Sequence, residues 1–151
     1  MRRSIGALLA AAALGMLMPL AAVQASPGVA AAFDVTTTLG SPSGGPFTAT
    51  GPAVDAGLLC VSGWTTDVSL GINGNGKNGS NFQVLKSFIC DDGSGSFLLK
   101  LQVRSDRKGD NYSWQVAGGT GAYMGLQGTG SGYGTTLEPG VLRDHFAGTL
   151  H

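Results

Sequence analysis

The chain has few charged residues, two histidines and two cysteines. Charged residues make up 12% of its 151 residues, and nine basic and nine acidic side chains leave no net charge. Binding to nucleic acid requires a basic patch, and this composition provides none, so we expect no nucleic-acid partner. Glycine is abundant instead, with 26 residues. Together with many Thr and Ser residues, it is typical of a secreted all-β domain.

Sequence motifs of the common enzyme classes are absent. No G-x-x-x-x-G-K-[ST] occurs, and Gly119-x-Gly121 has Met124 where the dinucleotide fingerprint needs a glycine, so we expect no cofactor. The serine-hydrolase motif G-x-S-x-G does not occur either. Asp144 and His145 are adjacent on a predicted strand, where neighbouring side chains face opposite ways and cannot form an orienting pair. We expect His145 at the surface and assign no catalytic residue.

The acidic residues predict no metal site. Asp91 and Asp92 lie in the strongest turn signal of the chain, where Asp serves the backbone. Asp106-x-Lys108-x-Asp110 has a lysine where a calcium loop needs an acid or an amide. Any aspartate that lies inside the fold could act as an acid. The aspartates left without an assigned role are Asp55, Asp67, Asp91, Asp92 and Asp110.

The first 25 residues have the layout of a secretory signal. Arg2 and Arg3 form a basic start, residues 5–20 form an apolar run, and Val23-Gln24-Ala25 offers small residues at the cleavage positions. An uncleaved membrane anchor is the alternative, because the run is almost long enough to span a bilayer. We expect cleavage before Ser26, export from a bacterial cell, and no membrane contact afterwards. Residues 26–32 then form a leader and residues 33–151 one domain.

Cys60 and Cys90 are the two cysteines of the exported part of the chain. An even number of cysteines in an oxidising compartment predicts a disulfide. A metal pair would need further Cys or His ligands, and a catalytic thiol would need a histidine at a recognisable spacing. The sequence therefore predicts that Cys60 and Cys90 are bonded to each other.

Alternating apolar residues separated by turn signals predict seven or eight short strands and no helix. The first strand begins at Phe33, and the clearest amphipathic strand runs from Phe97 to Arg104. The polar glycine-asparagine run from Gly71 to Ser80 is predicted to be a long exposed hairpin loop. Short strands without helices indicate a sandwich or an antiparallel barrel.

The glycine-rich stretch after Trp114 carries a resemblance to a known family. Val116-Ala117-Gly118-Gly119-Thr120-Gly121-Ala122-Tyr123, followed by Gly125 and Gly128, resembles the V-x-G-G-T-G-x-(F/Y)…G signature of the allene oxide cyclase and dirigent barrels. It is most similar to the bacterial secreted proteins grouped with them. The resemblance implies an eight-stranded antiparallel barrel with a cavity, in a family that guides cyclisations or couplings of small apolar or phenolic molecules. No catalytic residue of those families can be placed on this sequence.

The residues of this motif have a structural interpretation. The glycines permit a tight reversal and a sharply bent strand, and Tyr123 can pack under the reversal. The motif comprises Gly118, Gly119, Thr120, Gly121, Tyr123, Gly125 and Gly128. The aromatic residues either pack as a core or line a cavity. The candidate cavity-lining residues are Trp64, Phe97, Tyr112 and Trp114.

Three functions are consistent with these observations. The first is a non-enzymatic secreted protein that binds a small apolar ligand or a surface partner. The second is a cofactor-free cyclase or isomerase that holds a small apolar substrate in the barrel. The third is an extracellular inhibitor or cell-envelope interaction module that needs no cavity. A buried Asp beside aromatic side chains in an open interior would favour the second.

Overall fold

The computed structural model describes residues 28–38, 44–76, 79–107 and 109–151. The predicted signal segment, residues 1–25, lies outside this part of the chain, as do residues 26 and 27 of the leader. Each strand in the described ranges pairs with the next along the chain, and the last pairs with the first. The elements are β1 (Val29–Thr38), β2 (Gly44–Thr50), α1 (Pro52–Asp55), β3 (Ser62–Gly76), β4 (Gly79–Cys90), β5 (Gly95–Asp106), β6 (Gly109–Gly121), β7 (Gly128–Glu138) and β8 (Val141–Leu150).

The predicted all-β class and the antiparallel barrel are confirmed. The eight strands close into one barrel in chain order, which is the architecture that removes every unpaired strand edge. Within the described ranges, no helix has the length and apolar character needed to cross a membrane.

Strand β1 begins four residues earlier than the alternation from Phe33 predicts. Residues 29–32, predicted to belong to the leader, pair with residues 147–150 of β8. These pairs close the barrel, and small alanine side chains are sufficient for them because pairing is carried by the backbone.

Two further predictions are corrected by the strand boundaries. The run from Gly71 to Ser80 is not a long loop, since residues 71–76 extend β3 and residues 79 and 80 begin β4. Strand pairing there is carried by the backbone, with a register shift between Ile72 and Asn75. The prediction of no helix missed α1, a single turn that begins with a proline at a position favourable for helix starts.

Inward-facing aromatic rings fill the apolar section of the barrel. Phe33 and Phe146 stack at 4.6 Å, and Trp114 meets both rings edge-on at about 6 Å. A second group packs nearer to the disulfide, where Phe88 and Phe97 stack at 4.8 Å. Other rings in contact with these groups are Phe47, Tyr112 and Tyr123. This section of the interior is a packed core.

The predicted disulfide is present. Cys60 precedes β3, Cys90 ends β4, and the two sulfur atoms are bonded across a sequence separation of 30 residues. Both side chains are buried. The bond therefore links the segment after α1 to the C-terminal residue of β4.

Four glycines of β7 alternate along its inner face, and we call Gly128, Gly130, Gly132 and Gly134 the glycine strip. They leave room for large rings on the neighbouring strand. A Cβ atom at Gly130 would lie 2.7 Å from Trp114 Nε1. One at Gly132 would lie 2.3 Å from a ring carbon of Tyr112. The strip thus allows rings of the neighbouring strand to approach the β7 backbone closely.

The motif that precedes the strip forms the end of β6 and the turn after it. Gly118, Gly121 and Gly125 have positive φ angles of 147°, 59° and 88°. Tyr123 is buried beneath the turn, and its hydroxyl lies 3.0 Å from Ser94 Oγ. The ring of Tyr123 also contacts Phe97, with ring centroids 5.3 Å apart. This tyrosine therefore holds the β6–β7 connection against the β4–β5 turn.

Candidate functional site

One end of the barrel has a polar interior, in contrast to the aromatic section. We call this the polar end, and it is formed by inward-facing side chains of Asp67, Lys86, Asp110 and Asp144. Lys86 Nζ donates to Asp67 Oδ1 at 2.8 Å, and the two side chains are 14% and 28% exposed. Pairing offsets part of the cost of removing these two charges from solvent. Lys86 is thus the one positive charge among the three carboxyl groups of the polar end.

Strand alternation explains why Asp144 and Lys86 face inward. Asp144 has the same parity along β8 as the buried residues Phe146 and Leu150. Lys86 has the same parity along β4 as Val84 and Phe88. Both polar residues therefore occupy positions on the core face of their strand, where the neighbouring inward-facing residues are apolar.

The glycine strip provides space beside the Asp144 carboxyl group. Gly134 pairs with Asp144 on one side and with Asp110 on the other. A Cβ atom at Gly134 would lie 3.0 Å from Asp144 Oδ1, which is closer than ordinary van der Waals contact. A glycine here therefore lets two carboxyl groups face the same space.

Burial raises the pKa of Asp144 from 3.8 to about 6. The charge of Lys86 and hydrogen bonding with Tyr112 act in the opposite direction, whereas the negative charges of Asp110 and Asp67 raise the pKa further. Burial also raises the pKa of Tyr112, and the Asp144 charge adds to that effect. Tyr112 stays a neutral donor, and its hydroxyl lies 3.1 Å from the backbone carbonyl of His145. Asp144 is thus a carboxyl group that changes charge near neutral pH.

Two buried hydroxyl groups near this cluster have no hydrogen-bond partner. Thr37 is 2% exposed and Thr65 is fully buried, and neither Oγ1 atom is bonded. Thr65 lies two residues before Asp67 on the same face of β3. Thr37 lies two residues after Val35, which pairs with Asp144. Buried hydroxyl groups are normally bonded, so these two atoms are exceptions within the described residues.

The polar end opens to solvent through a mouth beside β6, β7 and β8. A cavity of about 250 Å³ lies there. Its lining residues are Gly109, Asp110, Gly134, Thr135, Thr136, Leu142 and Asp144. Because a water molecule occupies about 30 Å³, the cavity has space for on the order of eight waters or one small organic molecule.

The predicted cavity-lining residues divide into two groups. Phe97, Tyr112 and Trp114 are buried in the barrel. Trp64 is 52% exposed and lies on the outer surface, so its prediction as an interior residue is corrected. The reason is strand parity: Gly63 and Thr65 are the buried residues on either side of it. Trp114 is further fixed by β7, because its Nε1 donates to the Ser131 carbonyl at 3.2 Å.

The expected opposition of Asp144 and His145 is observed. Asp144 faces the interior, whereas the His145 ring lies outside the barrel, where its Nδ1 is 2.6 Å from Asp34 Oδ1. In the β4–β5 turn, Asp92 serves the backbone as expected, whereas Asp91 accepts from a side chain. Ser94 N donates to Asp92 Oδ1 at 2.8 Å, and Ser62 Oγ donates to Asp91 Oδ2 at 3.0 Å. Hydrogen bonds with Ser94 lower the pKa of Asp92.

Of the aspartates without a predicted role, Asp67 and Asp110 belong to the polar end, while Asp55 is exposed on α1. The sequence interpretation missed Asp144 and Lys86 as interior groups. Their parity with apolar neighbours on β8 and β4 is the signal that could have identified them. In the ranges that the structure describes, no three His, Cys, Asp or Glu side chains are arranged to hold a metal ion.

Replacing Asp144 with asparagine is expected to stabilise the protein at neutral pH. The pKa of Asp144 is 3.8 in the unfolded chain and about 6 in the folded one. Well below pH 3.8 the group is protonated in both states and does not change the free energy of unfolding. As pH rises to about 6, the unfolded chain loses its proton more readily than the folded one, and the fold is destabilised. A shift of this size corresponds to about 2 kcal/mol after allowance for partial exposure. Chemical denaturation at about pH 4 and pH 7.5 measures it. Equal effects of Asp144→Asn at both pH values would contradict a raised pKa.

Comparison of the chain with protein-family models, with curated proteins and with solved structures gives no match. The polar end is therefore interpreted from its own geometry.

Proposed function

We propose that the protein is a non-enzymatic binding protein and that its polar end binds a small organic cation. The observation that carries this proposal is the Asp144 carboxyl group, which faces the interior beside a cavity open to solvent. A buried acid without a cation of its own destabilises the fold, and such a cost is typical of functional sites.

Charge favours a cationic ligand. When ionised, Asp67, Asp110 and Asp144 carry three negative charges, and Lys86 compensates one of them through its 2.8 Å contact with Asp67. A primary ammonium or a similar group would offset the remaining charge and donate hydrogen bonds to carboxylate oxygens.

The interior favours a small polar ligand over the apolar one expected from the sequence. Contacting rings occupy the apolar section, including Phe33, Phe146 and Trp114. The open space lies at the polar end, where Leu142 and the methyl groups of Thr135 and Thr136 are the apolar surfaces. A short amine with a small apolar body is complementary to that lining.

Three probes of similar shape and different charge test the proposal. They are tyramine, the neutral alcohol 4-(2-hydroxyethyl)phenol and the anion 3-(4-hydroxyphenyl)propanoate. Isothermal titration at pH 7 is expected to show tyramine binding about tenfold more tightly than the alcohol, because a charge-assisted hydrogen bond contributes more than a neutral one. The carboxylate should not bind. Tyramine affinity should fall between about pH 7 and pH 5, as Asp144 becomes protonated.

Two variants provide the controls for this experiment. Asp144→Asn should remove the preference for the amine, whereas Asp55→Asn deletes a similar charge on the exposed helix α1 and should leave it intact. Gly134→Ala keeps the charge but crowds the Asp144 carboxyl group, and should also weaken binding. Equal affinity for amine and alcohol in the unmodified protein would refute the proposed cationic ligand.

A cofactor-free isomerase is the second candidate, and the pKa of about 6 at Asp144 favours it. The ionised carboxylate of a group with a pKa near the working pH can take a proton from one carbon, and the acid so formed can return it to another carbon of the same substrate. The uncharged ketone 3-cyclohexenone, which isomerises by such a transfer to its conjugated isomer, is a suitable probe. Turnover by the intact protein that Asp144→Asn abolishes would favour the enzyme.

We further propose that the chain is exported and that it belongs with the allene oxide cyclase and dirigent barrels. The disulfide is compatible with an extracellular location. The closed eight-stranded antiparallel barrel is the architecture that the glycine motif implies. Mass spectrometry of the protein secreted by its native host, with an N-terminus at Ser26, would test export and cleavage together.

A further inference from the structure

The outer face of strands β5 to β8 carries a groove that is separate from the polar end. It consists of two adjoining depressions of about 570 Å³ and 310 Å³, which share Gln102 and Ser113. We call these together the outer groove. Its lining includes the hydroxyl and amide side chains of Gln102, Asn111, Ser113, Gln115, Thr129 and Ser131.

Two cations lie along the groove without a carboxylate among its lining residues. Lys100 lines one depression and Arg104 lines the other. Both project from the same side of β5, four residues apart, which corresponds to about 13 Å along a strand. Asp34 lies nearby, but its Oδ1 is engaged by His145 Nδ1 at 2.6 Å. The groove is therefore complementary to a ligand with repeated negative charges.

An aromatic ring at one end of the groove is exposed and supported from behind. Tyr133 is 51% exposed, and its ring lies 5.0 Å from the His145 ring at an angle of 35°. The contact with Asp34 fixes the orientation of His145, and His145 in turn supports Tyr133. A fixed, exposed ring is a flat surface on which the apolar face of a sugar can rest.

We propose that the outer groove binds an acidic oligosaccharide. Hydroxyl and amide side chains match the many hydroxyl groups of a sugar chain, Lys100 and Arg104 match its carboxylates, and Tyr133 matches one ring face. A peptide would need pockets for apolar side chains, and Ala147 is the sole aliphatic side chain that lines either depression. Nucleic acid requires more positive charge than two cations provide.

The test uses oligogalacturonate and its methyl ester, which have the same backbone and differ in charge. Titration calorimetry is expected to show oligogalacturonate binding about tenfold more tightly than the ester, because the ester removes the partners of Lys100 and Arg104. Arg104→Gln and Tyr133→Ala should each weaken binding about tenfold. Arg143→Gln removes a charge from the same outer face, beyond the groove, and should leave affinity unchanged.

Several results would overturn this proposal. Binding of the ester as tightly as the acid would exclude a role for the cations, and no binding of either would exclude the ligand class. Poly-L-glutamate or oligothymidylate binding at least as tightly would identify a general anion surface or a nucleic-acid site instead. Melting temperatures of Arg104→Gln and Tyr133→Ala should match that of the unmodified protein, since both side chains point outward. A negative result of the tyramine titration at the polar end would leave the oligogalacturonate prediction for the outer groove unchanged.

Discussion

Replacing both Cys60 and Cys90 with alanine is expected to lower the free energy of unfolding by about 3 to 4 kcal/mol. The two residues are separated by 30 positions, and the bond reduces the conformational entropy of that loop in the unfolded chain. The double change avoids leaving one reactive thiol. Thermal unfolding under non-reducing conditions should show a clearly lower melting temperature.

A reducing agent provides the matched comparison for this prediction. It should bring the melting temperature of the unmodified protein close to that of the double variant and leave the variant itself unchanged. The double variant also loses a little packing at its two buried sites, so its melting temperature should be slightly lower than that of the reduced unmodified protein. An unmodified melting temperature in the double variant would show that the disulfide contributes little to stability.

Replacing Gly132 with alanine is expected to destabilise the barrel by about 3 kcal/mol. The added Cβ atom would lie 2.2 Å from the His145 carbonyl oxygen and 2.3 Å from a ring carbon of Tyr112. Relief would require a shift of the β7–β8 pair or of a buried ring, and both are held by hydrogen bonds, including the one from Tyr112 to His145. Overpacking of this kind is among the few mechanisms that produce large effects.

Gly71→Ala is the control for the glycine strip. Gly71 also lies in a strand, but a Cβ atom there would have no neighbour within 4 Å. We expect a change within about 0.5 kcal/mol for this variant, as for most surface substitutions. Denaturant unfolding of both variants gives the comparison directly. Similar stabilities for Gly132→Ala and Gly71→Ala would contradict close contact between the strip and the rings.

The barrel could be predicted from the sequence because its determinants are local. Alternation along the strand from Phe97, the Asp91–Asp92 turn and the glycine-rich stretch each constrain a short segment. The pairing of Cys60 with Cys90 could be predicted because the chain has two cysteines and therefore one possible intramolecular disulfide. The extension of β3 to Gly76 and the start of β4 at Gly79 were missed because strand pairing there depends on the backbone of a neighbouring strand.

The polar end could not be predicted because its members come from four strands that are distant in sequence. Asp67, Lys86, Asp110 and Asp144 face one another only after the barrel closes. Closure sets which residues meet across the interior, and no local pattern encodes it. Trp64 shows the same limitation, since a shift of one residue in strand parity decides whether a side chain points in or out.

The packed rings and the polar end together explain why the inner face of β7 carries glycines from Gly128 to Gly134. Gly130 and Gly132 receive the rings of Trp114 and Tyr112, whereas Gly134 leaves space beside Asp144. The same strip therefore serves the packed core over most of its length and the candidate site at its end. Substitutions at Gly132 should mainly affect stability, and those at Gly134 should mainly affect binding.

A carboxyl titration of Asp144 followed by ¹³C NMR tests the central claim most directly. The account predicts a pKa of about 6 for the free protein and a lower pKa in the presence of tyramine, because a bound cation favours the ionised carboxylate. Asp55, exposed on α1, is an internal reference that should not respond to tyramine. A pKa for Asp144 near 3.8 that tyramine does not change would contradict the account.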